Sequence, residues 1–525
     1  MGMRITTGMA MNTYRYNLQN STRNLTNSRN KVQSKRKFDT FAEDPSSAIQ
    51  AWRVRRAMVS TDIYARNNKD TYTRFSIAEA TMKSVSRDLT DLGGRKSDIY
   101  AANDPTATGR SELGKVLSDT AESVIHDMNG AVSGENFVFA GDDELNAPFS
   151  WKDGQLFYRG VNVNAGMVKS PAEVPDWAPE KIVQDADGKD VNVGADNTNV
   201  SDLAKAFVKS LPEETDDMNE ALWADYYRGK AGVEKPDASN PDTIPSWVPM
   251  VTDPADPNKK VPAENTNETA MAQAFRDNLP EKGATEAEQA WIDYYKDPNS
   301  TLKPSADPRA AWEANGGVDD FGVPKLAYDE NVKNSAYNRA WAAYYTDQGD
   351  AEKLKRMAEE EVPIDLGMGM LEESEGNLVP GTYFSRALSG LNMLGYGVDE
   401  DGDPKNVCMI MKELGAIYSR TNSQTGAYAS DEDYEDAMRL MNKLKAGQAY
   451  TTGQSVDIDA RAQFLQQNQE RLDLQGKYLN EQRAELEDVD LALAIENLSW
   501  DYYCYSAALK VGTQLLSQSL IDYMT

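Results

Sequence analysis

This chain is short of the side chains that most often do chemistry. Among 525 residues there is one histidine, His126, and there are two cysteines, Cys408 and Cys504. A single imidazole excludes the HExxH zinc-peptidase helix, any two-histidine metal site and any pair of catalytic histidines. Two cysteines that belong to no CxxC pair are too few for a disulfide scaffold. No GxxxxGK[ST] or GxGxxG follows a strand pattern, so no phosphate-cradling loop is expected. No apolar run approaches the roughly 18 residues of a membrane span. The opening, MGMRITTGMAMNTYRYNLQN, lacks the apolar core of a cleaved signal peptide, so any export is expected to use another route. Proline is missing from the last seventy or so residues, which leaves nothing there to break a helix. No catalytic residue, metal or cofactor is expected.

What is present is helical periodicity at both ends. Leu465, Leu472, Leu479, Leu486 and Leu493 stand seven apart, a spacing that returns to nearly the same helix face every two turns. Past the acidic break Glu487-Asp488-Val489-Asp490 the stripe continues in a new phase through Leu491, Ile495, Leu498, Tyr502, Tyr505, Leu509, Leu516, Leu520 and Tyr523. At the other end Met11, Leu18, Leu25 and Val32 recur at seven, with Tyr14, Ser21 and Ser28 between them. This seam is weak alone, because serine buries little and leaves a hydroxyl to satisfy. A long helix cannot bury its stripe against itself, so the two ends are expected to supply partners for one another or for further copies.

Charge divides the chain in the same way. Residues 1–110 hold 19 Lys and Arg against 10 Asp and Glu, a net +9, and the rest hold 36 against 74, a net −38. The basic residues are scattered among Asn, Ser and Thr with no interleaved aromatic stripe, and the acidic bulk repels phosphate, so nucleic-acid binding is not expected.

After the first seam, Glu43-Asp44-Pro45 reads as a loop followed by a helix that starts at the proline. That helix is expected over 46–101 and a third over 110–129, with His126 on it as a structural residue. Asp153-Gly154 before Gln155-Leu-Phe-Tyr reads as a turn into a strand. Further helices are expected around Phe384, Leu388, Leu391 and Leu394, then over 405–418 and 432–446, before the long terminal one.

Between 170 and 361 the sequence repeats itself. Val174-Pro-Asp-Trp177-Ala-Pro179 parallels Ile244-Pro-Ser-Trp247-Val-Pro249. Phe207, Trp223 and Tyr226 parallel Phe275, Trp291 and Tyr294 at an offset of 68, and Trp341-Ala-Ala-Tyr-Tyr345 is a degenerate third copy. Each unit reads as a proline-rich connector plus two short helices whose aromatics form a small core. Tryptophan and tyrosine at helical spacing favour that core over a carbohydrate-stacking platform. Two acidic turns resemble calcium loops in part. In Asp399-Glu-Asp401-Gly-Asp403-Pro404 the sixth position is proline and the twelfth, Ile410, is no ligand; in Asp185-Ala-Asp187-Gly-Lys-Asp190 the glycine is misplaced. Both read as solvated turns.

The opening MRITTGM, the segment ending Glu43-Asp44-Pro45, the stretch Gly134-Glu-Asn-Phe-Val-Phe-Ala-Gly141 with Pro148-Phe149, the late LEDVDLALAIENLS and the ending Ser519-Leu-Ile-Asp-Tyr-Met resemble the flagellin superfamily, and within it the hook-associated proteins more than the filament flagellins. The resemblance spans about 1–160 and 362–525. Lys35 departs from a loop glycine, Glu43 from the first aspartate of a DDP motif, and Phe41 from a common proline. The resemblance implies a mainly α protein: a long coiled-coil rod of N- and C-terminal segments, and a small β-rich outer domain carrying the helical and proline-rich tandem insert. The expected division is a terminal polymerisation domain (1–45 with 487–525), a helical rod (46–149 with 382–486), a β-rich domain (150–169 with 362–381) and an insert (170–361, with repeats near 170–236, 241–300 and 308–350).

It also implies a secreted, non-enzymatic structural subunit of the bacterial flagellum, exported unfolded through the type III channel and located at the hook–filament junction. The implied partners are copies of itself, another hook-associated protein, flagellin and a cytoplasmic export chaperone, with no membrane insertion. Its assembly residues are expected at Ile5, Met11, Tyr14, Leu18, Leu25, Val32, Leu491, Leu498, Tyr505, Leu509, Leu516, Leu520 and Tyr523. A filament flagellin is the alternative within the family. A secreted adhesin-like module, binding through the acidic insert, is the alternative outside it.

Overall fold

The computed structural model describes residues 7–94, 109–185, 188–213, 215, 217–369, 373–374, 377–379, 383–422 and 425–524. The protein is mainly helical, 58% helix against 10% strand, with small antiparallel sheets. In chain order the helices are α1 (Thr7–Ser34), α2 (Pro45–Gly94), α3 (Arg110–Gly130), α4 (Val200–Lys209), α5 (Met218–Tyr227), α6 (Glu268–Asp277), α7 (Glu286–Lys296), α8 (Arg309–Gly316), α9 (Ala336–Ala358), α10 (Gly390–Leu394), α11 (Val407–Ser419), α12 (Asp431–Glu487) and α13 (Leu491–Met524). No described helix is long and apolar enough to cross a membrane. The chain divides into two compact units, Met1–Ala80 with Glu361–Arg386 and Val456–Thr525, and Thr81–Glu360 with Ala387–Ser455. Helices α2 and α12 contribute residues to both.

In the first unit α2 and α12 run antiparallel. Ile458, Leu465, Leu472 and Leu479 of α12 are buried at steps of seven, as are Thr61, Asn68 and Phe75 of α2. The spacing of the leucines therefore locates the inner face of α12, while Leu486 is half-buried and Leu493, beyond the break, is exposed. At the middle of the seam sits a polar pair. Asn68 Nδ2 donates to the Leu465 carbonyl and to Gln469 Oε1, both at 2.9 Å, and Asn468 Nδ2 donates to Asn68 Oδ1 at 2.9 Å and to the Leu366 carbonyl at 3.2 Å. Two buried amides that satisfy each other fix one register, because a shift by a turn would strand both in an apolar seam. Phe384 lies against Phe75, with ring centres 5.3 Å apart, and stacks on Phe464 at 5.9 Å.

The strand pairing differs from expectation. The returning stretch was expected to close the sheet around 150–169, but Pro363–Ile364 pairs antiparallel with Phe384–Ser385. The short helix expected to include Phe384 and Leu388 is confined to α10. The reason is the aromatic contact: Phe384 has to extend to reach both Phe75 and Phe464. Gly367, at φ +72°, lies where a Cβ would stand 2.4 Å from a ring carbon of Tyr64, so this approach to α2 needs glycine.

In the second unit α3 and α11 cross where Gly114 meets Gly415; a Cβ on Gly114 would lie 2.6 Å from the Gly415 carbonyl oxygen. That close approach buries Leu117, Ala121, Val124 and Met128 along with Met411, Leu414 and Tyr418. Phe149–Lys152, Gln155–Tyr158 and Val161–Asn162 form a three-stranded antiparallel sheet. Its turns place two consecutive residues at positive φ, Asp153 with Gly154 and Arg159 with Gly160, which matches the right-handed twist of the flanking strands. The helix expected over 432–446 is not separate from the terminal one, since α12 is continuous from Asp431 to Glu487. Gly447, which might have marked a break, sits inside it where a Cβ would touch Val407 at 3.3 Å, so packing keeps it in the helix.

Asn468→Ala removes the donor to Asn68 Oδ1 and to the Leu366 carbonyl. A stability loss of about 1–3 kcal/mol is expected, from acceptors left buried without partners, read as a shifted midpoint in urea unfolding with the slope unchanged.

Candidate assembly surface

The terminal helices pair within one chain. Met11, Tyr14, Leu18, Ser21, Leu25, Ser28 and Val32 are half-buried, and nearly every other described residue of α1 is exposed. Facing them on α13 are Ala494, Leu498, Asp501, Tyr505, Ala508 and Gly512, spaced alternately four and three. The helices are antiparallel: Tyr14 lies against Gly512, and Ser28 Oγ donates to Asp501 Oδ2 at 2.5 Å. The hydroxyl that weakened the seam thus has a carboxylate partner. The two seams cover each other within the chain, small residues meeting larger or charged ones: Gly512 of α13 receives Tyr14 of α1, and Ser28 of α1 meets Asp501 of α13. Leu491 and Leu509 fall outside this seam and are 42% and 41% exposed. Leu516, Leu520 and Tyr523 belong to the last turns of α13; their side chains, and Ile5, lie outside the described residues.

The turns that join these helices to α2 and α12 are pinned together. Lys37 N donates to the Glu487 carbonyl at 2.7 Å, and Val489 N to the Lys35 carbonyl at 3.1 Å. The nearly buried Glu487 carboxylate pairs with Arg55 at 2.6 Å. In the Glu43-Asp44-Pro45 motif each residue has a local task. Glu43 accepts from the Asp39 backbone and the Thr40 hydroxyl. Asp44 Oδ1 accepts from Ser47 N at 3.1 Å and from Ser46 Oγ at 3.2 Å, capping α2, and the bonds from Ser47 hold its carboxyl below the ordinary value. Pro45 takes the first helical position, where its missing N–H costs nothing. Asp490 caps α13 in the same way, accepting from Ala492 N and Leu493 N. Lys35 has φ 58°, a left-handed conformation that suits glycine better. Around this turn Phe38, Phe41, Ile49, Trp52, Arg55 and Glu487 line a cavity of about 470 Å³.

Apolar side chains remain uncovered on the outer faces of the first unit. On α2 they are Ile49, Trp52, Val59 and Ile63, at steps of three, seven and four, with 42%, 62%, 62% and 50% of their surface exposed. On α13 Trp500 and Tyr503 are both 67% exposed and stack on each other.

In the insert Phe207, Trp223, Tyr226, Phe275, Trp291, Tyr294 and Trp341 are all buried. They present no open ring face on which a sugar could stack. The first two repeats do not each cover themselves. Trp177, from the first connector, packs on Phe275 and Tyr295 of the second repeat, with ring centres 6.5 and 6.3 Å away, and its Nε1 donates to Glu288. Trp247, from the second connector, packs on Phe207 and Tyr227 of the first repeat at 6.3 and 6.4 Å, and its Nε1 donates to Glu220. The exchange extends to backbone. Tyr295 Oη donates to the Ala195 carbonyl and Tyr227 Oη to the Ala263 carbonyl; Asn197 and Asn265 donate to the carbonyls of Tyr294 and Tyr226. In the third copy Trp312 of α8 lies against Tyr345 and Trp341 Nε1 donates to the Pro304 carbonyl, and its core is completed by Ala290 of α7 in the second repeat, with Arg339 paired to Glu286.

The acidic turn at Asp399, Asp401 and Asp403 brings three carboxylates together, and Lys443 Nζ sits among them at 2.7, 2.8 and 2.5 Å. Burial opposes ionisation of Asp403, but Arg439 and Lys443 outweigh it and hold the carboxyl below its ordinary value. An ammonium fills the place a divalent cation would take, so the turn is a structural ion cluster rather than a solvated loop. The other acidic turn lies partly outside the described residues. His126 is exposed on α3.

No family model matches this chain, and no curated protein matches it.

Trp177→Ala tests the exchange of connectors. A loss on the order of 2–4 kcal/mol is expected from removing a half-buried tryptophan, with amide exchange speeding up first in α6 and α7, far along the chain. Faster exchange confined to 200–227 would mean that each connector serves its own repeat.

Proposed function

We propose that this chain is a structural subunit that assembles with copies of itself through its terminal helices, as a hook-associated protein of the bacterial flagellum at the junction between hook and filament. The observation that carries the assembly reading is the uncovered apolar surface of the first unit. Single exposed apolar residues are ordinary, but rows of them on long helices mark interaction sites. Ile49, Trp52, Val59 and Ile63 on α2, with Trp500 and Tyr503 on α13, are such rows. Covering one aromatic side chain removes about 150–250 Å² from water, so a handful per subunit supplies most of what a specific contact needs.

Charge supports contact between copies. Residues 1–80 hold 14 basic and 6 acidic side chains, a net +8, and residues 456–525 hold 5 and 12, a net −7. A surface with one sign on its N-terminal helices and the other on its C-terminal ones attracts its own copies head to tail, the kind of contact that propagates or closes into a ring. The flagellar setting rests on the sequence segments at both ends. In this setting α1 and α13 form the coiled-coil inner layer, flagellin and a second hook-associated protein are the neighbours, and a chaperone holds the chain before export.

Two measurements test the reading. Trp500→Glu with Tyr503→Glu changes exposed residues only, so the monomer should melt within about 0.5 kcal/mol of the parent while sedimentable assemblies disappear. Unchanged assembly, or a clearly destabilised monomer, overturns the role given to this face. Separately, gold-labelled antibody on purified flagella should mark one band beside the hook. Label along the whole filament would make the chain a flagellin, and unlabelled flagella would remove the flagellar setting altogether.

A further inference from the structure

The outer faces of α2 and α13 carry matching stripes. On α2 Ile49, Trp52, Arg56 and Val59 follow one another at steps of three, four and three, so they share one helix face. On α13 Leu493, Glu496, Trp500 and Tyr503 follow at the same steps. All of them are exposed, and the α13 stripe lies on the side turned away from the seam with α1. Each stripe has the rhythm of a coiled-coil seam, with apolar residues interrupted by a single charge. Among the described residues neither Arg56 nor Glu496 has an ion-pair partner; Arg56 rests over the Trp52 ring, 5.8 Å from its centre.

Antiparallel alignment brings the two rhythms into step. Read backwards, α13 gives Tyr503, Trp500, Glu496 and Leu493 at steps of three, four and three. The layers become Ile49 with Tyr503, Trp52 with Trp500, Arg56 with Glu496 and Val59 with Leu493. Every apolar residue meets an apolar residue, and the positive charge meets the negative one. Parallel alignment of the same stripes sets Glu496 against Trp52 and Arg56 against Trp500. Either stripe paired with a copy of itself sets its charge against its own tryptophan and brings two like charges side by side. A lone charge in an apolar seam specifies partner and register in this way. Within the chain both stripes are exposed, so the partner stripe has to come from a second copy. Beside the first two layers Phe38 and Phe41, with Ile49 and Trp52, line the cavity of about 470 Å³, which leaves room for the rings of Tyr503 and Trp500.

We propose that α2 of one copy takes α13 of the next in this antiparallel register, with Arg56 paired to Glu496 across the contact. The proposal rests on the reading that the uncovered faces of the first unit join copies, and adds which face meets which. The contact is heterologous: each copy offers its α2 stripe to one neighbour and its α13 stripe to another, so the pairing closes a ring or propagates. Four layers make a short seam, weak in an isolated pair and sustained where each copy is held at both stripes.

The test is a charge exchange on the full-length chain, read by sedimentation of assemblies. Arg56→Glu and Glu496→Arg, each alone, set like charges in every contact and should lower the sedimentable material by about tenfold or more. The melting curve of the monomer should not move, because both sites are exposed and unpaired. An equal mixture of the two variants should assemble to within about twofold of the parent, since alternating copies restore an opposite pair at every contact. Mixing cannot rescue a folding defect. Orientation is read by disulfide trapping in a Cys504→Ser background, with Cys408 buried. Under mild oxidation Ile49→Cys mixed with Tyr503→Cys should cross-link, and Ile49→Cys mixed with Leu493→Cys should not. Parent assembly that neither charge change reduces, or that gives no disulfide between positions 49 and 503, overturns this pairing and leaves the assembly reading standing. A disulfide between 49 and 493 would make the helices parallel, and one between Ile49→Cys and Val59→Cys would make α2 pair with itself; either overturns it. Failure of the parent to assemble removes the assembly reading and this pairing together.

Discussion

The buried pairing of Asn68 with Asn468 is the constraint on which the first unit depends. Two long helices with apolar residues every seven positions could slide by a turn and still bury leucine on leucine. The amides forbid that, because any other alignment leaves a donor and an acceptor in an apolar seam. Once α2 and α12 are locked, the turn at 35–44 and the break at 488–490 meet, Arg55 reaches Glu487, and α1 and α13 leave those turns side by side. Register in the middle of the unit thus decides which residues of the terminal helices face one another.

Long helices are cheap to extend and hard to bury. Each adds a stripe for every two turns, and a chain that folds two of them together uses one face of each. The α1–α13 pair shows the result: a narrow seam of small and half-buried residues inside, and Trp500, Tyr503, Leu493 and Val511 left outside. The first unit therefore buries one face of each terminal helix and leaves the other, with these apolar side chains, exposed. The insert is the opposite case, with Trp223, Trp291, Trp341 and their neighbouring tyrosines Tyr227, Tyr295 and Tyr345 enclosed in its cores.

Much of this was legible in the sequence. Seven-residue spacing located the inner faces of α12 and α1, since a heptad repeat is a local property of one strand of sequence. The start of α2 at Pro45 was legible for the same reason, as were the aromatic positions of the repeats, whereas the capping role of Asp44 came only with the structure. What escaped the sequence depends on which partner a residue meets. Asn68 stands seven residues from Thr61 and from Phe75, so its place on the seam could have been found by counting polar residues along with apolar ones. Nothing in the spacing says that Phe384 extends to reach Phe75, or that Trp177 covers the second repeat and not the first. Two equivalent repeats offer equivalent docking faces, and only the three-dimensional arrangement distinguishes self-cover from exchange.

Exchanged connectors have a consequence for how such an insert can change over generations. Loss of one repeat by recombination would leave the surviving helices without the tryptophan that closes them, and its own connector without a place to lie. A viable change in copy number therefore proceeds by whole pairs, and the third copy, whose core is completed by Ala290 of the second repeat, is kept or lost together with the pair it rests on. Length variation in this region should then avoid single repeats, a pattern set by the folding arithmetic of the modules and not by what they touch.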